Sequence, residues 1–272
     1  MAEATFDRAR FVARLGTRRL GRHLLARATV ESTNDTAWEA RALGAPEGTV
    51  VVADVQTRGR GRAGRRWHLA PGKGLALSVL LPLGGDRGAL GVLPLGAGLA
   101  LARALERLGV ATELKWPNDL LLGGRKLAGI LCESRGATPH GDPGAGDTVV
   151  IGVGVNVGER SEDFPPEIRE RTTSLAIEGF ALEREIVTAE FLNALEPLWV
   201  TLEEGGCQEV LDAWRAHASF WGRVVHVRTP AGELRGVART LDEAGGLVLR
   251  LDSGSETTVL AGDVEIAPAE AW

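Results

Sequence analysis

Apolar residues recur at helical spacing over residues 93–108, where Leu95, Leu99, Leu101, Leu105 and Leu108 predict a helix that stops at Gly109. A shorter run over 32–44 sets Ala37, Trp38 and Leu43 behind a Ser32/Thr33 cap and predicts a second helix. Aliphatic and β-branched runs at 49–55, 75–81 and 148–157 predict strands, the last one buried. Residues 112–116 and 120–122 read as extended. Gly123-Gly124 has the φ freedom of a two-residue turn, which sends 126–133 back as a partner strand. The Gly/Pro/Asp tract 136–147 is a predicted loop. A long helix over 184–204, with a kink predicted at Pro197, and a shorter one over 208–219 follow.

Beyond Gly222 the texture changes. Short strand-like segments at 224–228, 234–238, 247–251 and 257–260 alternate with Pro230-Ala231-Gly232, Gly245-Gly246 and Ser253-Gly254. That spacing predicts a small antiparallel barrel. The expected organisation is therefore a main domain over 1–220 and a small one over 221–272. Helices set among the strands of the first make it α+β. There is no internal repeat.

Composition narrows the function classes. The 272 residues are 44% hydrophobic and 25% charged, ordinary for a soluble globular chain. A net charge of −5 argues against a general nucleic-acid coat. Two cysteines, Cys132 and Cys207, and no signal peptide point to a reducing cytoplasm without disulfides. No apolar run approaches the roughly 20 residues of a membrane span. The Arg/Ala bias fits a GC-rich genome and says nothing of function.

Of 31 basic residues only Lys73, Lys115 and Lys126 are lysines. An ammonium is a compact point charge and a guanidinium a planar fork, so a surviving lysine marks a place where arginine would not serve. Lys115-Trp116-Pro117-Asn118-Asp119 and Arg125-Lys126-Leu127-Ala128-Gly129 hold two of the three. Taken alone, Lys126 at a strand start is a solvated edge residue. With lysine so scarce and an apolar run behind it, an inward-pointing functional lysine is the better reading. Asn118 and Asp119 read either as a turn pair or as metal or nucleotide ligands. Cys132, in the same apolar strand, reads as core.

Residues 56–67 contain a formal G-x-G-x-x-G, but Arg65-Arg66-Trp67-His68-Leu69-Ala70-Pro71-Gly72 cannot open the helix that a dinucleotide fold requires. Glycines alternating with five arginines describe instead either a mobile anion clamp or a solvated basic loop. Gly152-x-Gly154 before Asn156 predicts close approach by a neighbouring backbone or a ligand. The five histidines show no metal-site spacing, and no Ser-His-Asp arrangement is visible.

Four segments then line up in one order: Glu31-Ser32-Thr33-Asn34, the 56–67 loop, the 115–129 stretch, and Ile151-Gly152-Val153-Gly154-Val155-Asn156. Together they resemble a biotin protein ligase (biotin–[acetyl-CoA-carboxylase] ligase) over roughly residues 28–272. The resemblance implies an α+β catalytic domain like that of class II aminoacyl-tRNA synthetases, with a mixed central sheet, followed by an SH3-like β-barrel. It implies ATP and biotin as substrates, Mg²⁺, biotinyl-5′-AMP as intermediate, and a lysine of a biotin carboxyl carrier protein as acceptor.

Carried over by motif, Ser32, Thr33, Asn34 and Gln56 match biotin-binding positions. Arg60 and Arg62 match the arginines of a loop that closes over biotin and the adenylate. Arg65 and Trp67 match adenylate-side positions, with Trp67 packing on adenine. Asn118 matches a nucleotide position and Asp119 a metal one. Lys126 matches the lysine contacting the biotin carboxylate and the reacting phosphate, which with Arg62 makes the catalytic pair; Gly129 and Asn156 line the same pocket.

Bifunctional members carry an N-terminal helix-turn-helix, and about thirty residues before Glu31 are too few for one. The expectation is a ligase without DNA binding and without a membrane partner; the family's frequent dimers allow a homodimer. Ala63 replaces a basic residue found in some members. Two rival readings are a lipoate or octanoyl ligase, disfavoured by the GRGRxG loop and KWPND segment, and an RNA-binding module, disfavoured by the acidic charge and the lack of interleaved Phe or Tyr.

Overall fold

The computed structural model describes residues 4–82, 89–135 and 148–267, so the predicted loop 136–147 lies outside the described residues. In chain order the elements are α1 (Arg8–Arg14), β1 (Leu24–Val30), α2 (Thr33–Ala42), β2 (Val50–Gln56), β3 (Leu75–Pro82), α3 (Ala89–Arg107) and β4 (Glu113–Lys115). There follow β5 (Asp119–Leu122), β6 (Arg125–Arg135), β7 (Thr148–Val155), α4 (Pro166–Arg169), α5 (Arg184–Glu203) and α6 (Cys207–His217). The chain closes with β8 (Val224–Thr229), β9 (Gly232–Leu241), β10 (Leu247–Leu251), β11 (Glu256–Val259) and β12 (Asp263–Ile266).

Among the described residues seven strands form one sheet in the order β1-β2-β3-β7-β6-β5-β4. Only β1 and β2 run parallel; the other neighbours are antiparallel. The mixed α+β architecture predicted from the sequence is the one observed. Alternation along the strands decides what each face does. On β7, Val149, Ile151, Val153 and Val155 join the large core under α3 and α5. Val150, on the opposite face, packs with Ala37 and Trp38 of α2, Val51 and Leu80. Gly152 and Gly154 share that second face. Helix α2 covers part of it, and beyond the helix the sheet is bare enough to form a cleft.

Strands β8–β12 form a second, antiparallel sheet in the order β11-β10-β9-β8-β12. Its apolar residues, including Val225, Val227 and Leu249, are continuous with the large core. The Trp116 indole is buried and donates to the Gly245 carbonyl at 2.9 Å. The turn between β4 and β5 is thus tied to the turn between β9 and β10.

Several predicted elements change on inspection. Helix α3 begins earlier, at Ala89, and runs through Pro94. Helix α5 is continuous over Arg184–Glu203 with Pro197 inside it, and Thr201 Oγ1 donates to the Pro197 carbonyl at 3.1 Å. The strand predicted over 148–157 ends at Val155. α1, α4, β1 and β12 have no counterpart in the sequence reading. The first is held by long-range contacts: Arg14 pairs with Glu190, and the Asp7 amide donates to Glu185, both partners being on α5. β1 is an edge strand whose half-buried pattern carries little period-2 signal. β12 has four residues and exists through its pairing with β8.

Candidate active site

The cleft encloses about 880 Å³ between α2, the 57–67 loop, the exposed face of β5–β7 and the edge of the second sheet. At one end the start of α2 supplies polar side chains. Ser32 is the buried N-cap residue, but its hydroxyl makes no capping bond, which corrects the predicted Ser/Thr cap. The Thr33 amide donates to Gln56 Oε1 at 2.9 Å, and the Thr33 hydroxyl donates to the same oxygen at 3.2 Å. Asn34 lies over Gly152, where a Cβ would come within 2.3 Å of Asn34 Oδ1. The Ser78 hydroxyl, on the same face of β3, is 2.6 Å from Asn34 Oδ1 and 2.8 Å from Thr33 Oγ1. Ser78 was not singled out from sequence, because its neighbours identify it only in space.

The 57–67 loop folds back on itself. The Trp67 amide donates to the Gly59 carbonyl at 3.0 Å and the Gly61 amide to the Arg65 carbonyl at 2.7 Å. A Cβ on Gly59 would sit 2.6 Å from the Trp67 carbonyl oxygen, so the neck of the loop requires glycine there. The Trp67 indole lies on the sheet where Gly129 and Gly154 pair across β6 and β7. The approach to Gly152 and Gly154 is made not by a neighbouring backbone but by two side chains, Asn34 and Trp67.

The loop arginines reach different elements. Arg60 pairs with Asp35 of α2 at 2.5 Å and with Glu133 of β6 at 3.1 Å. Arg62 donates to Asn118 Oδ1 at 3.1 Å, and Arg65 reaches Asp263 of β12 at 2.7 Å. Burial lowers the Arg62 guanidinium below its ordinary value, and Arg65 adds to that while Asp263 and Asp119 oppose it. The Asn118 amide donates to the Ile130 carbonyl at 2.7 Å, which fixes its oxygen toward Arg62.

Asp119 stands between two of the three lysines. Lys126 Nζ is 2.6 Å from one of its oxygens and Lys115 Nζ is 3.4 Å from the other. Between Lys126 and Ala128 the register of β6 against β5 shifts by one residue, and such a bulge re-aims side chains. Lys126 Nζ lies 5.9 Å from the centre of the Trp67 ring. Asn156 sits at the cleft wall with its amide donating to the Thr173 carbonyl at 2.8 Å, so it also anchors the segment behind Lys126. Lys73 lies outside this group and pairs with Asp163 at 2.7 Å. Cys132 packs against the core, and burial pushes its thiol up to about 12.

Among the described residues there is no group of three His, Cys, Asp or Glu side chains placed for a metal. Asp119 and Glu113 are carboxylates at the lysine end of the cleft. That donor set suits Mg²⁺, which keeps several waters and takes one or two carboxylates plus substrate phosphates. Chemically, the cleft joins a polar, hydrogen-bonding end to an aromatic seat flanked by a lysine and a half-buried arginine. Those groups could accept an uncharged polar head group, a flat ring and anions.

Comparison with known proteins agrees with this geometry. Residues 26–156 match the model of the Biotin/lipoate A/B protein ligase family, and residues 220–266 match that of the Biotin protein ligase C terminal domain. The chain is 34% identical over 254 residues to the Bifunctional ligase/repressor BirA of Bacillus spizizenii, covering 93% of this chain and 76% of that protein. It is 37% identical over 242 residues to the Biotin–[acetyl-CoA-carboxylase] ligase of Mycobacterium tuberculosis, covering 86% and 85%. The solved structure of biotin protein ligase from Aquifex aeolicus in complex with biotin and ATP superposes with a TM-score of 0.75 at 28% identity, covering 91% of this chain and 100% of that one. Among the described residues no helix is long and apolar enough to cross a membrane.

Proposed function

Since the chain belongs to the biotin/lipoate A/B protein ligase family, we propose that its cleft performs the ligase reaction with the residue roles set out below. The enzyme is a biotin–[acetyl-CoA-carboxylase] ligase. It activates biotin with ATP as biotinyl-5′-AMP and transfers the biotinyl group to the carboxylase. The acceptor is a lysine of the biotin carboxyl carrier subunit.

The obstacle to the first step is the repulsion between a carboxylate and a triphosphate. Lys126 and Arg62 offset it, Lys126 by contacting the biotin carboxylate and α-phosphate and Arg62 from the loop above. Both then stabilise the charge that grows on the α-phosphate oxygens as the carboxylate oxygen attacks and pyrophosphate leaves. A compact ammonium suits a site that two ligand groups share. Thr33, Asn34, Ser32 and Gln56 hold the biotin head group, and the face around Gly152 accepts its ring. Trp67, seated on Gly129 and Gly154, packs against adenine, with Asn118, Arg65 and Asn156 around the nucleotide. Arg60 belongs to the loop that covers them.

Asp119, with Glu113, would hold Mg²⁺ brought on the triphosphate, which supplies further charge neutralisation. Residues 221–272 act as a small unit that meets the loop through Asp263 and Arg65. In the second step the carrier's lysine amine attacks the acyl carbon of the mixed anhydride, an amide forms, and AMP departs with the phosphate oxygen. Closure of the loop keeps water from the anhydride before the carrier arrives.

The observation that carries this reading is the placement of Lys126 beside the Trp67 seat at the lysine end of the cleft. Incubation with ATP, biotin and a carrier domain yields biotin-labelled carrier. Failure to label a carrier that a known ligase does label would sink the assignment.

A further inference from the structure

We infer that Ser78 is a positioning residue for the ligand's head group: its single hydroxyl proton fixes which end of the Asn34 carboxamide faces the cleft. The inference deepens the ligase reading and rests on it for the identity of the ligand; the hydrogen-bond network stands on geometry. Ser78 is the only polar residue of β3 and is fully buried. It pairs in register with Val51 of β2 on one side and with Gly152 of β7 on the other. A hydroxyl between such neighbours is costly unless it is bonded. Its partners come from the start of α2, which reaches down through the space that Gly152 leaves by having no side chain.

Ser78 Oγ lies 2.6 Å from Asn34 Oδ1. An amide oxygen only accepts, so that contact holds the Ser78 proton. On the other side of the same carboxamide, Asn34 Nδ2 faces the Leu131 carbonyl at 3.5 Å, the outer limit of a hydrogen bond. A backbone carbonyl also only accepts. The two contacts together therefore require one orientation of the amide, with its oxygen toward Ser78 and its nitrogen toward Leu131. Nδ2 carries two protons, and one long bond engages one of them. Gln56 is turned in the same sense: its Oε1 accepts from the Thr33 amide at 2.9 Å and the Thr33 hydroxyl at 3.2 Å, which leaves Nε2 as its donor. Asn34 and Gln56 both line the cleft. The polar end thus offers N–H groups, which match an acceptor such as the carbonyl oxygen of a cyclic urea and oppose a donor in the same place. Ser78 sets this polarity through Asn34 without touching the ligand.

The test measures biotin binding by calorimetry in wild type, Ser78→Ala, Ser78→Thr and Ser78→Val. Threonine and valine have nearly the same shape, so a packing cost falls on both and only the hydroxyl separates them. Ser78→Ala is expected to weaken biotin binding about three- to tenfold, and Ser78→Val to bind more weakly than Ser78→Thr by a similar factor. ATP affinity and kcat for adenylation in Ser78→Ala should stay within about twofold of wild type, because neither depends on the Asn34 amide. The second probe is 2-iminobiotin, whose cyclic guanidinium puts donors where the urea has its acceptor. Wild type should prefer biotin to this analogue, and Ser78→Ala should narrow the preference, since only the long Leu131 contact then resists a turn of Asn34. An unchanged preference, equal biotin affinity in the threonine and valine variants, or equal loss of biotin and ATP affinity would each overturn the role of Ser78. If wild type binds no biotin, the ligase reading itself fails; wild-type binding without a threonine–valine difference removes Ser78 alone.

Discussion

Gly154 and Trp67 fit together as a seat and its occupant: a Cβ on Gly154 would lie 2.3 Å from Trp67 Cε2, inside any allowed contact. Two residues earlier on the same face, a Cβ on Gly152 would lie 2.3 Å from Asn34 Oδ1. On the roles proposed for Asn34 and Trp67, the two glycines would serve different ligand ends.

Gly154→Ala should displace the indole and weaken ATP binding, while Gly152→Ala should displace Asn34 and weaken biotin binding. Overpacking of this kind costs about 1–3 kcal/mol, or roughly ten- to hundredfold in affinity. Calorimetric titration of each variant with each ligand separates the effects. Equal losses for both ligands in both variants would mean a general sheet distortion.

Lys126→Ala and Lys126→Arg should each slow adenylate formation by about 10²–10³-fold, read as pyrophosphate release in a single turnover. The arginine variant fails because a fork cannot take the place of a point charge between two anions. Adenylation within a few-fold of wild type in either variant would remove Lys126 from the catalytic step.

Chelation should stop adenylation, and added Mg²⁺ should restore it. Asp119→Asn should raise the Mg²⁺ concentration required. If the variant shows the wild-type Mg²⁺ dependence, Asp119 serves only to hold Lys115 and Lys126.

Glu159 gives a stability signature. It is wholly buried, one carboxylate oxygen accepts from the Val157 amide at 2.7 Å, and the other has no partner. Desolvation raises it from its ordinary value of 4.5 to about 7; nearby Asp163 adds to the rise, while Lys73 and the amides oppose it. Between those values the folded chain keeps a proton that the unfolded chain has released, so stability falls as pH rises and levels off above pH 7. The cost at high pH is on the order of 3 kcal/mol. Glu159→Gln should raise Tm above pH 7 and flatten that slope; a Tm difference that is the same at about pH 5 and about pH 8 would refute it.

The sequence was most readable where chemistry and period are local. The repeat of Leu95, Leu99 and Leu105 announces α3, and the glycine–arginine alternation announces the loop. What it hid is set by contacts between distant segments. Ser78 looks like any strand serine until β3 places it beside Thr33 and Asn34. Glu133 looks like the polar end of an apolar strand until Arg60 and Trp38 meet on it. Asp263 belongs to a strand too short to predict, yet it receives Arg65. Trp116 reads as part of a motif, and its indole is a tie to Gly245.

An enzyme whose intermediate is an amine-reactive anhydride must also live with its own amines. All three lysine side chains of this chain are held by aspartates: Lys73 by Asp163, and Lys115 and Lys126 by Asp119. An ammonium donating to a carboxylate has no lone pair to offer an acyl carbon. The other 28 of the 31 basic side chains are guanidiniums, which stay protonated and are poor nucleophiles. Around the cleft positive charge is thus carried by guanidiniums and by two ammoniums paired with Asp119, and on the proposed mechanism the incoming carrier supplies the amine that the acyl group is expected to meet.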